Sequence, residues 1–527
     1  MTELDPVRLE IFRSLFTAVA EEMGGTLMRS ASSPNIKERR DYSCAIFTGE
    51  GALVAQGEHM PVHLGSMPLS VKTAIKEVDI RPGDIVILND PYKGGTHLPD
   101  ITMIAPVYVA KDDSPAFYVA NRAHHADVGG MSAGSMPLAT EIYQEGQIIP
   151  PLKWISSGTP NKEFAALFLN NVRTPQERRE DLAAQTASLK IGNERLLELV
   201  ERYGLAEIRK FMARVMDYSE QLMRKELKAI PDGKYLAQDY LDDDGISDES
   251  VKIQCTLQID GMNAVVDFTG SAPQVKGSLN AVYAITYSAT VYCFRALAGT
   301  PVPVNEGCFR PLTVHAPEGT VVNARAPAAV AGGNVETSQR IVDVVFRAFA
   351  DAIPDRVPAA SQGTMNNLAI GGQEESGASF GYYETIAGGM GARPDKPGIA
   401  GIHTHMTNTM NTPIEALEIT YPMRITEYHL RDGSGGDGEQ RGGDGLVRAI
   451  QLLTDASVTL LSERRKIAPY GLRGGSPGQC GRNTLHSEGQ VKALPSKCNI
   501  SVRTGDIIRI ETPGGGGYGT RISTTAD

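Results

Sequence analysis

Three glycine-dense stretches, 433–445, 471–481 and 514–519, crowd the last hundred residues and limit what that region can fold into. Glycine inside a helix or strand costs roughly 0.5–1 kcal/mol relative to alanine, so these stretches read as turns. Strand-like runs at 446–453 and 458–461 lie between them, which makes the end of the chain a glycine-rich β region. Glycine is abundant overall, at 55 residues beside 31 prolines, yet hydrophobic residues make up 41% and are spread throughout. That balance belongs to a loop-rich folded protein rather than a disordered one. The absence of a fixed-period repeat excludes a solenoid.

At 527 residues the chain exceeds a single core and predicts two to four domains. Asp5-Pro6 reads as a helix N-cap followed by proline at the first helical position. Val7, Ile11, Leu15 and Ala18, with Phe12, Phe16 and Val19 beside them, then form an apolar stripe at helical spacing, and Gly24-Gly25 is expected to stop the helix. From Asp41 to Pro106 short β-like runs alternate with turns, at 44–47 and again at 85–88 after Pro82-Gly83-Asp84. Further strands are predicted over 101–110 and 116–120. Residues 175–230 predict a bracing helical pair, 176–203 and 206–228, with charge runs on solvated faces. Asp260-Gly261 between 251–259 and 264–268 is a hairpin signal, and a helix follows over 281–298. The expectation is an α+β, multi-domain chain with mixed β-sheets. A soft boundary near 232–245 divides it into a 1–235 metal-site region and a 236–527 mixed α/β region.

A net charge of −11 argues against nucleic acid or an anionic membrane as partner. Apolar runs of 18 residues are absent, so no membrane span is expected. Glu10, Glu21 and Glu22 interrupt any secretory apolar segment near the N-terminus. Cys44, Cys255, Cys293, Cys308, Cys480 and Cys498 are scattered, with no CxxC pair. This usage suggests neither a disulfide framework nor a cysteine zinc site, and fits a reducing, cytoplasmic setting.

Several literal motif matches fail on context. Gly433 to Gly438 and Gly514 to Gly519 satisfy GxGxxG, but neither sits between a strand and a helix, as dinucleotide binding requires. Gly130-Met131-Ser132-Ala133-Gly134 satisfies GxSxG, yet Pro137 follows where the nucleophile elbow needs a helix. The sequence has no GxxxxGK[ST] phosphate loop, so any ATP used is expected to bind elsewhere.

The chemistry gathers near the front. Five of the ten histidines (His59, His63, His97, His124, His125) fall in the first 125 residues, each in a polar, glycine-rich setting. His97 and Asp100, three apart across a proline, can face the same way in one turn. His124 ends one likely strand and Asp41 begins another, while His125 and Asp127 close the group. Two imidazoles and two carboxylates converging from stiff turns suit Zn²⁺ or Mn²⁺, with a position left for water or substrate.

The run from Asn89 to Asp100, the segment His59-Met60-Pro61-Val62-His63-Leu64-Gly65-Ser66, and Ala123 to Gly130 resemble the hydantoinase B/oxoprolinase family. The closing Thr512-Pro513 and Gly514 to Gly519 are similar to that family's ending, so the resemblance spans nearly the whole chain. It implies a B-type, metal-binding subunit beside an A-type partner that binds ATP with Mg²⁺. The metal ligands it implies are Asp41, His97, Asp100 and His124, the residues the spacing picks, with His125 as rival to His124. It further implies opening of a cyclic amide (hydantoin, 5-oxoproline or lactam) after phosphorylation of its carbonyl oxygen. Asp127 or the uncoordinated His125 is then the expected general base. His59 and His63 would contact substrate or support the ligands. An ATP-dependent ketone carboxylase of the acetone or acetophenone type is the runner-up. A metal-free structural subunit is the alternative of a different class.

Overall fold

A computed structural model describes residues 5–57, 60–109, 113–374 and 376–521. His59 and Ala110 therefore lie outside the described residues. The fold is α+β, built on four sheets, with mixed helices between and around them.

The first helix, α1 (Pro6–Ser30), starts as its sequence directs: the Asp5 carboxylate accepts from the Val7 and Arg8 amides at 3.0 and 3.3 Å. It does not stop at Gly24-Gly25. Met23 and Leu27 on either side are fully buried, and their packing outweighs the roughly 1 kcal/mol per glycine that a helix interior loses.

The largest sheet holds β1 (Tyr42–Thr48), β2 (Leu53–Gln56), β3 (Ile85–Leu88), β4 (Asp100–Val107), β5 (Phe117–His124), β6 (Leu152–Ser156) and β7 (Thr159–Pro160). Its order is β2-β1-β5-β4-β3-β6-β7, antiparallel throughout. β1, β4 and β5 are buried along nearly their whole length, so they read as largely apolar runs, and the polar Thr102, Asn121 and Arg122 inside them are buried with hydrogen-bond partners. The helical pair is present as α2 (Pro175–Tyr203) and α3 (Leu205–Lys228). Helix α2 is fastened to the sheet by Gln185, whose side-chain nitrogen donates to the Ile101 carbonyl and the Asn121 side chain, and whose Oε1 accepts from His125 Nε2.

A second sheet follows in the order β11-β10-β9-β8, from β8 (Gly233–Leu241), β9 (Val251–Asp260), β10 (Asn263–Asp267) and β11 (Leu312–His315). The expected hairpin turns at Gly261, where φ is +57°. Helix α4 (Tyr283–Leu297) and helix α5 (Ser338–Ala352) belong to the same large apolar core, which runs from Leu9 to Leu461.

The remaining strands form two sheets. One is β13-β12-β16-β19 and the other β14-β15-β20-β17-β18. Their members are β12 (Asn367–Gln373), β13 (Ser379–Glu384), β14 (Met423–Arg431), β15 (Gly445–Leu452), β16 (Ala456–Leu461), β17 (Arg482–Ser487), β18 (Gln490–Leu494), β19 (Lys497–Val502) and β20 (Ile507–Glu511). A smaller core, from Leu368 to Ile510, lies between them.

Beside that core the glycine stretches run against one another as extended backbone. The Gly515 amide donates to Gly443 O, the Gly443 amide to Met390 O, and the Gly436 amide to Gly515 O, each at 2.8–2.9 Å. A methyl group on Gly389, Gly442, Gly515 or Gly517 would fall inside contact distance of a neighbouring backbone. The stretches are therefore more ordered than turns: strand-to-strand approach that close is open only to glycine. No helix follows either GxGxxG run among the described residues.

Candidate metal centre

Strand pairing brings the scattered residues together. Asp100 opens β4 and pairs in register with His124 at the end of β5, while Tyr42, next to Asp41, pairs with Ala123. The His124 amide donates to Asp41 O, and the Asp100 amide to His97 O, closing the Thr96–Asp100 turn under the strand ends. His97 Nε2 lies 3.2 Å from Asp100 Oδ1, and His124 Nδ1 lies 3.4 Å from the same oxygen. Asp41 Oδ2 stands 3.9 Å from His124 Nδ1. One donor atom each from His97, Asp100 and His124 falls within 4.8 Å of the others, and all three residues are buried.

Those separations fit a shared ion. Donors bound at about 2.1 Å and about 90–110° apart are roughly 3.0–3.4 Å from each other. Electrostatics agrees. Burial pushes the Asp41 carboxyl above its usual range. Burial alone would do the same to Asp100, but the facing His97, His124 and His63 hold its carboxyl well below that range. Burial also lowers the pKa of His124 and of His63, which favours the neutral imidazole that a metal requires. Two buried carboxylates facing one another are repulsive until a cation comes between them.

A support layer holds the donors. The other Asp100 oxygen accepts from Thr96 Oγ1 at 2.5 Å and lies 3.4 Å from His63 Nε2, and His63 Nδ1 meets Ser43 Oγ at 2.9 Å. The His124 ring stacks on Tyr383, centroids 4.7 Å apart and 11° from parallel. Tyr383 donates to Asn367 Oδ1 at 2.7 Å, and the Arg39 guanidinium lies over its ring. Nearby, buried Arg122 is held by the hydroxyls of Thr102, Ser66 and Ser70, which places a cation close to the carboxylates without an ion-paired carboxylate of its own among the described residues.

Asp41, His63, Asp100 and His124 line a small enclosed cavity of about 10 Å³ together with Asn334 and Tyr383. Such a volume admits roughly one water or ion. His63 thus both lines the cavity and braces Asp100. His125 and Asp127 are placed elsewhere. Successive residues of an extended chain face opposite ways, so His125 turns from the cavity to Gln185 Oε1 at 2.9 Å. Its pKa is pushed down to about 4 by burial and by Arg178. Asp127 accepts from the Arg173 amide and guanidinium at 2.7 and 2.8 Å.

Sequence reading missed Thr96, Asn334 and Tyr383. Asn334 had a signal, since Gly332-Gly333-Asn334 just ahead of a helix is a polar group in a tight turn. Tyr383 sits on a strand 259 residues from His124 in sequence, and nothing local marks it.

The hydantoinase B/oxoprolinase family model matches residues 5–521. The chain is 40% identical over 548 residues to 5-oxoprolinase 1 of Arabidopsis thaliana, covering 98% of this chain but only 42% of that longer one. The solved structure of an ATP-dependent caprolactamase from Pseudomonas jessenii superposes with a TM-score of 0.92 at 28% identity, covering 98% of this chain and 92% of that one. A nucleotide-free acetone carboxylase superposes at 0.91 with 18% identity, covering 98% and 76%, which shows a common fold.

Proposed function

The chain belongs to the hydantoinase B/oxoprolinase family, and from that premise we propose that it is the B-type subunit of an ATP-dependent cyclic amide hydrolase. Its substrate class is a hydantoin, 5-oxoproline or lactam. The observation that carries the reading is the buried convergence of donor atoms of His97, Asp100 and His124 within 4.8 Å of one another, beside a small cavity that Asp41, Asp100 and His124 line. In this reading Asp41, His97, Asp100 and His124 hold one divalent metal, Zn²⁺ or Mn²⁺.

Bound there, the ion would lower the pKa of a water toward neutrality or polarise an amide oxygen. The chain's own part is to hold the donors. Asp100 is fixed from behind by Thr96 and His63, and His124 is fixed by the Tyr383 ring, so little reorganisation accompanies charge development. His63, which lines the cavity and braces Asp100, stays in this reading as a support of the donors that lies within reach of substrate. His125 and Asp127 enter as supports of the strand end, because both are engaged away from the cavity.

An unstrained amide resists water because its carbonyl is resonance-stabilised and nitrogen leaves poorly. Phosphorylation of that oxygen by ATP supplies a leaving group. We assign ATP and Mg²⁺ to an A-type partner in a cytoplasmic hetero-oligomer, because neither glycine motif here precedes a phosphate-holding helix. The relative named 5-oxoprolinase is more than twice as long as this chain, which fits a division of one polypeptide's work between two. The small cavity admits an ion rather than a ring, consistent with a substrate that arrives only once the partner is bound.

The test is reconstitution. The purified chain is mixed with an A-type partner and supplied with ATP and a hydantoin, 5-oxoproline or caprolactam, and ring-opened product is followed alongside ADP. Ring opening coupled to ADP release is expected. Ring opening by this chain alone without ATP would overturn the coupling, and bicarbonate-dependent turnover of a ketone would replace hydrolysis by carboxylation.

A further inference from the structure

One buried polar group at the cavity has no role in the four-residue set. Asn334 is 5% exposed, lines the cavity, and places its amide nitrogen 3.1 Å from His97 Nε2. Its Oδ1 is buried and makes no hydrogen bond, and His97 Nδ1 makes none either. An amide with one end on a ring nitrogen and the other end orphaned is poorly satisfied as it stands.

The backbone around it is firmly fixed. Asn334 sits on a π-helical turn, Gly333–Thr337, that leads into α5, and such turns cluster at functional sites. The Gly333 amide donates to Ser278 O and Val330 O, Ser338 Oγ donates to Asn334 O at 2.6 Å, and the Thr337 hydroxyl donates to Leu279 O. Any side chain on Gly333 would run into Asn280 O, so the turn is pressed against the 278–281 segment. The amide is thus delivered to the cavity by a turn that cannot easily retreat.

An ion bound to His97 occupies the Nε2 lone pair, and an N–H aimed at that point would then face a cation. A half-turn of the amide exchanges Oδ1 and Nδ2 and presents the carbonyl oxygen instead, which also gives the orphaned oxygen a partner. The 3.1 Å separation from His97 Nε2 matches the 3.2 and 3.4 Å separations within the triad. It falls in the range of about 3.0–3.4 Å for neighbouring donors on one ion.

We propose that Asn334 is a further oxygen donor of the metal centre, its side-chain carbonyl taking a position beside His97. The inference rests on the metal-centre reading above. It makes the site richer in oxygen than a tetrahedral zinc site, and oxygen donors and higher coordination number favour Mn²⁺ over Zn²⁺.

The test is chelator competition with Mn²⁺ and, separately, Zn²⁺ on the full chain, for the wild type, Asn334→Ala, Asn334→Asp and His97→Ala. Asn334→Ala is expected to weaken Mn²⁺ about tenfold or more and Zn²⁺ less, with Asn334→Asp retaining Mn²⁺. A role in folding alone would not change the Mn²⁺ to Zn²⁺ ratio. Should the alanine variant not fold, Asn334→Leu is read in the same way. Unchanged Mn²⁺ affinity in a folded Asn334 variant, with binding abolished in His97→Ala, overturns the inference and leaves the metal centre standing. Unchanged binding in His97→Ala overturns both.

Discussion

The histidine–aspartate cluster and the glycine bundle are both buried and both depend on segments far apart in sequence, yet they are specified in opposite ways. At the cluster the identity of each side chain decides everything: Asp100 alone meets Thr96, His63, His97 and His124. In the bundle side chains are excluded, and backbone amides and carbonyls of 389–391, 434–443 and 514–517 meet directly. The first region is chemistry carried on a fold, and the second is fold alone. It follows that damage to one should leave the other's property largely intact.

The largest expected effect is in the bundle. Gly442→Val or Gly515→Val places a branched side chain where even a methyl meets backbone. Overpacking of a rigid core costs about 1–3 kcal/mol and here more, because backbone rather than a mobile side chain must yield. Thermal melts should show loss of the cooperative transition or a fall of about 3 °C or more. Gly381→Ala, with nothing within 4 Å of its added carbon, should stay within about 1 kcal/mol of the wild type.

The complementary substitution is Asp100→Asn, which keeps shape and removes charge. Melting should be little affected beside the bundle variants, while metal per chain, read by elemental analysis, falls from about one to near zero. Melting as severely impaired as in Gly515→Val would erase the distinction between the regions.

A smaller effect belongs to Glu145, a buried carboxyl that serves structure. Burial pushes its pKa up to about 8 despite the amides of Val330 and Ala331 that donate to it. The folded state therefore keeps a proton that the unfolded chain, with an ordinary Glu pKa near 4.3, releases. Its contribution is full below that unfolded value and is lost as pH rises to about 8. Stability should fall by up to about 1.4 kcal/mol per pH unit across that window and level off above it. Glu145→Gln should flatten this component in denaturant titrations run at several pH values.

The smallest effect concerns support of the cluster. Tyr383→Leu removes the ring stacked on His124 and should weaken metal binding by about tenfold, whereas Tyr383→Phe keeps the stack and most of the affinity. Equal affinity in both would mean that the stack does not hold the ring.

Legibility in the sequence followed the same division. The approach of His97, Asp100 and His124 is readable because these residues sit in stiff local turns and at strand ends, and antiparallel pairing of β4 with β5 sets Asp100 beside His124. The helices α2 and α3 and the β9–β10 hairpin are readable from periodicity and turn chemistry. Tertiary packing is not: it carries α1 through Gly24-Gly25 and turns nominal loops at 433–445 and 514–519 into a hydrogen-bonded bundle. It likewise brings Tyr383 to His124 from 259 residues away. The side each member of the His124-His125 pair faces depends on strand register, and a pair of adjacent histidines leaves that open.

That pair offers the most direct test of the metal-centre reading. His124→Ala and His125→Ala are purified as full chains, and Zn²⁺ and Mn²⁺ per chain are measured by elemental analysis beside the wild type. The geometry predicts about one ion in the wild type, almost none in His124→Ala, and nearly the wild-type content in His125→Ala. Loss of metal in His125→Ala with retention in His124→Ala would contradict the account.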